Sequence, residues 1–214
     1  MISFEAHIRT NYTAACEKLR TFLKDDEMKA MLASGGQDIS LVKSWMRDYG
    51  LFQGISTDDR DKTAKRFLSF STSVGPMPTV IDKKFIEGKY SELFEALFDE
   101  VKRTWISATS KLLWCIYPNE VVLYDSFVWQ TLVVMQWLDS ELASFPRIGV
   151  APSVAPGSEI ALAVRHYMNY QDMVRYISER NSGTLNELRA KHQEMYPHDI
   201  RIIDQLLWMV GKPE

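Results

Sequence analysis

Apolar positions recur at helical spacing along almost the whole chain. Phe4, Ile8, Tyr12, Ala15, Leu19 and Phe22 fall on one face, which predicts an amphipathic helix over residues 2–24. Gly35-Gly36 ends a short second helix, and Asp38 is placed to cap a third with the stripe Ile39, Val42, Trp45, Tyr49 and Phe52. Ser56 or Thr57, followed by Asp58 and Asp59, opens a fourth that runs to about Ser71, before VGPMP at 74–78 breaks the chain. Gly88 separates a short helical turn near Asp82 from a fifth helix over Tyr90–Arg103. In WISATSKLLWCIYP, Ser107, Thr109 or Ser110 is expected to cap a helix that Pro118 stops; Asp125 is expected to cap the next, SFVWQTLVVMQWLDSEL. After an irregular segment at 144–158 come three more helices, near 159–181, 184–195 and 199–210. Only VVLY at 121–124 is strand-like, with no second strand to pair with. The pattern implies one all-α, multi-helix domain over 1–214: N-terminal helices in 1–80, a central segment in 81–143, the loop 144–158, and C-terminal helices in 159–214.

Composition narrows the classes. Apolar residues make up 46% and charged residues 25%, which supports a packed core and excludes wholesale disorder. Twenty-eight acidic against 25 basic residues leave a net charge of −3, which argues against attachment to nucleic acid by bulk charge. No apolar run reaches the roughly 18–20 residues a bilayer needs, and the N-terminus has no signal-peptide core, so no membrane partner is expected. Two cysteines, Cys16 and Cys115, are too few for a disulfide framework, and the chain reads as cytoplasmic. His192 and His198, with Glu194 and Asp199, lack zinc-site spacing, and Asp58, Asp59 and Asp61 lack a calcium-loop pattern. No phosphate-cradling glycine loop is present. Neither a metal nor a cofactor is expected. Arg189, Lys191 and His192 stand too close together for the Arg/His pair of helical ribonucleases.

The candidate chemistry lies in WISATSKLLWCIYPNEVVLYDSFVW, residues 105–129. Lys111 is expected in the first turn of one helix and Asp125 at the start of the next. The positive end of a helix disfavours an ammonium and favours a carboxylate. Lys111 would then be a better amine nucleophile, and Asp125 a carboxylate ready to stabilise a developing cation. This pair suits imine formation, or departure of a base from a sugar through an oxocarbenium-like transition state.

The segment resembles the helix-hairpin-helix DNA glycosylases, in particular their 8-oxoguanine glycosylase-like branch. In that family an L-P-G-x-G-x-K hairpin leads into a helix, then a proline-containing turn, then an aspartate that opens another helix. WISATSK at 105–111 stands at the hairpin, Pro118 at the turn, and YDSFVW at 124–129 at the aspartate segment, with Trp129 also fitting the branch. The resemblance implies a glycosylase-like all-α fold and a DNA glycosylase/lyase acting on duplex DNA with a modified or damaged base. Lys111 would be its imine-forming nucleophile and Asp125 its charge-stabilising carboxylate. Ser107 and Thr109 stand where the family has glycines, and the step from Lys111 to Asp125 is a few residues shorter than the family's.

Around that pair, Lys102 and Arg103, with Ser107, Thr109 and Ser110 of the hairpin, are the candidates to hold a DNA backbone. Trp114, Cys115, Phe127 and Trp129 are candidates to line a base pocket; His166, on the helix that carries Tyr167, Tyr170 and Gln171, is a candidate to read the base edge. Two alternatives remain open. One is a non-catalytic adaptor on a glycosylase-like scaffold, favoured by the missing hairpin glycines and the acidic balance. The other is an enzyme acting on a nucleotide or nucleoside, which needs no basic groove.

Overall fold

The computed structural model describes residues 3–22, 24–75, 78–152, 160–192 and 196–212. Among the described residues the chain forms ten α-helices and one short 3-10 turn, with no strand. No helix among them is long and apolar enough to cross a membrane. The helices cluster into two units, each discontinuous in sequence.

One unit comprises Leu23–Val121 and Ala151–Tyr167. It holds α2 (Lys24–Ala33), α3 (Ile39–Asp48), α4 (Thr57–Ser73), α5 (Lys83–Val101), α6 (Ile106–Ile116) and the start of α8 (Ile160–Arg180). Two expected caps form: Asp38 accepts from Leu41 N at 3.0 Å and Ser56 from Asp59 N at 3.2 Å; Asp82 also caps, accepting from Phe85 N at 2.7 Å. In this unit α4 packs on α3 and α5, and α6 on α2 and α5. Trp45, Phe67, Tyr90, Phe94, Trp114 and Tyr167 are fully buried there. Tyr90 and Tyr167 stack face to face, with centroids 3.9 Å apart and planes 8° from parallel.

Gly88 does not divide α5, contrary to the sequence expectation. The helix is continuous from Lys83 to Val101, and a Cβ at Gly88 would meet no atom within 4 Å. An exposed glycine costs a helix roughly 1 kcal/mol against alanine, too little to break one whose other face buries Ile86, Tyr90, Leu93 and Phe94.

The other unit comprises Met1–Phe22, Val122–Val150 and Met168–Glu214. It holds α1 (Phe4–Arg20), α7 (Ser126–Leu138), the 3-10 turn Leu142–Ser144, the remainder of α8, α9 (Ser182–Lys191) and α10 (Asp199–Gly211). Here α10 packs on α1 and α7. The α7–α10 crossing depends on Gly211, because a Cβ there would run into the main-chain oxygen of Phe127. Thr131 fastens the same crossing by donating to Leu207 O at 3.0 Å.

Two irregular segments in this unit are tied down by side chains. VVLY is not a strand of a sheet. Its main chain is fastened instead by α8 side chains: Gln171 Oε1 accepts from Val122 N at 3.2 Å, and the Tyr170 hydroxyl donates to Leu123 O at 2.8 Å. Buried Gln136 holds the start of the 144–158 segment, donating to Pro146 O and accepting from Ile148 N, both at 3.2 Å. The part of that segment at 153–158 lies outside the described residues, as do Pro76, Met77 and Glu194.

Candidate functional site

α6 is buried nearly all round: of residues 106–115, only Ser107 is not buried. A helix so enclosed must match each polar side chain with a partner. Thr109 donates to Trp105 O and Ser110 to Ser107 O, each at 3.0 Å, and Cys115 Sγ contacts Lys111 O at 3.5 Å. Lys111, only 6% exposed, donates from Nζ to Ser107 Oγ at 2.6 Å. Four residues along a helix bring side chains to one face, so Ser107 and Lys111 meet one above the other.

This corrects the expected start of α6. The N-cap is Trp105, which makes no side-chain cap, and the helix begins at Ile106. Residues 106–111 are therefore helix rather than hairpin, and Ser107, Thr109 and Ser110 lie inside it. Lys111 sits past the first turn, where the helix-end field has fallen away. Its setting is burial and a hydroxyl partner instead.

The expected base-pocket and phosphate residues of this unit are tied into the fold. Trp114 is fully buried, with the Lys29 ammonium 5.3 Å above its ring. Burial, helped by the charge of Asp25, pushes the Cys115 thiol well above its usual range and keeps it protonated. His166 is 9% exposed, and burial lowers its pKa. Arg103 donates to Gln53 O at 2.7 Å and lies over Trp105. Lys102 takes the left-handed position that ends α5, with φ 49°, and pairs with Asp99. Both Lys102 and Arg103 are exposed.

In the other unit, Asp125 caps α7 as expected: its side chain accepts from Phe127 N at 2.9 Å, and it is half-buried. Its neighbours are aromatic. Tyr124 and Tyr170 face each other with centroids 4.8 Å apart, and the Tyr124 hydroxyl is pushed up to about 12 by burial and by the Asp125 charge. Tyr170 is fully buried and raised well above the usual phenol range by burial, then by the charges of Asp204 and Asp125. Phe127 packs edge-on against Trp208, and Trp129 donates to Gly149 O at 2.9 Å. A cleft of about 800 Å³ in this unit is lined by Phe4, Val134, Leu138, Ile177, Arg180 and Val210, among others; none of the expected site residues lines it.

Sequence reasoning missed Asp25. Only 3% exposed, its carboxylate accepts from Trp45 Nε1 and the Tyr49 hydroxyl, each at 2.8 Å. In the run Asp25, Asp26, Glu27 nothing local marks which acid turns inward. Tyr170 and Gln171 were visible as polar residues on a helix, but not as the anchors of the non-helical segment before Asp125. Among the described residues no three His, Cys, Asp or Glu side chains gather as a metal site. No protein-family model, no curated protein and no solved structure matches this chain.

Proposed function

We propose that the protein is a DNA glycosylase/lyase, cleaving the N-glycosidic bond of a modified or damaged nucleotide through Lys111, with Asp125 as its charge-stabilising carboxylate. The observation that carries this reading is the burial of the Lys111 amine, which donates to Ser107 Oγ at 2.6 Å. Removal from water is one of the ways a lysine becomes a nucleophile, and a serine hydroxyl can pass a proton as the amine changes state. In the reaction the Lys111 nitrogen bonds to C1′ while the bond to the base breaks. The bonding pair leaves with the base, which takes up a proton. Loss of the amine proton and opening of the sugar ring then give the imine. Asp125, fixed at the start of α7, offers its negative charge to the cationic sugar as the base departs.

The test is reductive trapping. Duplexes carrying an oxidised base, a deaminated base or an abasic site should give a covalent protein–DNA adduct with borohydride, and Lys111→Ala should give none. No adduct from the wild-type chain on any of the three substrates overturns the proposal.

One observation favours a second reading. Thr109 and Ser110 spend their hydroxyls on their own helix, and Arg103 is committed to Gln53 O. With Thr109 and Ser110 engaged within α6 and Arg103 bonded to Gln53 O, the same chemistry on a free nucleoside needs fewer phosphate contacts. Turnover of nucleosides without salt-dependent DNA binding would select that reading.

A further inference from the structure

Asp125 is preceded by a non-helical segment whose main chain is fastened from α8. Gln171 accepts from Val122 N at 3.2 Å, and Tyr170 donates to Leu123 O at 2.8 Å. Both side chains are buried, Tyr170 at 0% and Gln171 at 2% exposure. Burying a hydroxyl and an amide costs free energy unless they are bonded, and phenylalanine or leucine would fill the same space without that cost. What these polar atoms add is directional hold on two of the peptide groups leading to Asp125. Tyr170 stays a donor because burial and the nearby carboxylates of Asp204 and Asp125 keep its phenol protonated.

We propose that Tyr170 and Gln171 are positioning residues for Asp125, fixing the direction of its carboxylate through the main chain of residues 122–125. This rests on the reading of Asp125 as the charge-stabilising carboxylate, but its first readout does not need activity. The Phe127 amide bonds to the Asp125 carboxylate and so reports its placement. In the full-length chain, Tyr170→Phe should keep the helical circular dichroism and raise Phe127 amide exchange about tenfold, the loss expected for one hydrogen bond. Amides in the middle of α7 should be unchanged, which a general loosening would not spare. Gln171→Leu should do the same, and it serves as the test if Tyr170→Phe does not fold. On a DNA substrate, kcat should fall about tenfold at unchanged KM.

An unchanged Phe127 amide in both variants overturns the proposal. So does a displaced amide with wild-type kcat, because the carboxylate direction would then not matter. A displaced amide in a chain whose wild type forms no adduct supports the positioning and removes the glycosylase reading instead.

Discussion

The starts of α6 and α7 solve one problem in opposite ways. A helix leaves its first amides without partners. α7 opens on Asp125, whose carboxylate accepts from Phe127 N and which is half-exposed. α6 opens on Trp105, which supplies no cap, and is held by burial of Ile106, Ala108, Leu112 and Leu113. Its hydroxyls turn back onto carbonyls of the same helix. A capped start can leave its carboxylate facing solvent, whereas a packed start draws its polar residues inward. Asp125 is half-buried, and Lys111 is enclosed.

The largest effect that sharpens this contrast comes from Asp125 itself. Asp125→Asn keeps an oxygen for the cap and should change stability by only a few tenths of a kcal/mol, while Asp125→Ala should cost about 1 kcal/mol. Both should lower base excision by roughly 10² or more, since both remove the charge. Thermal melts beside single-turnover rates read the two effects separately. Near-wild-type excision by Asp125→Asn would reduce Asp125 to a cap.

Next is Ser107→Ala, expected to cost on the order of 1 kcal/mol in denaturant titration, because it takes a partner from a buried amine. Thr109→Val, which removes a hydroxyl bonded only to its own helix, should stay within about 0.5 kcal/mol of wild type. Equal losses in the two would erase the distinction drawn within α6. Gly88→Ala should stabilise by roughly 0.5–1 kcal/mol, because the added methyl meets open space in a continuous helix.

The smallest effect is pH-dependent. Burial lowers the His166 pKa below 6.5 in the folded chain, so the unfolded chain binds the extra proton. Its contribution is complete above the unfolded value and is lost as pH falls through the folded one. His166→Gln should lose less stability than wild type between about pH 7.5 and 5.

Much of the helical order was legible because its signals are local. Asp38, Ser56 and Asp125 were each read as helix starts, and each caps. α6 was misread because Ser107, Thr109 and Ser110 are all cap-type residues, while the decision came from burial of Trp105 and Ile106, which only packing reveals. Gly88 misled for a similar reason: propensity was outweighed by the buried stripe on the other face of α5. For the candidate site, residue types were readable, and Asp125 stands where its type predicted. The Ser107 contact to Lys111, the inward turn of Asp25, and the hold of Tyr170 and Gln171 on residues 122–123 depend on partners brought by folding.

The most direct test is to digest the borohydride-fixed protein–DNA adduct and locate the modified residue by peptide mass. The account predicts that Lys111 carries the sugar remnant, despite lying buried while Lys102 and other lysines are exposed. Attachment at Lys102 or any other lysine, with Lys111 unmodified, would contradict it.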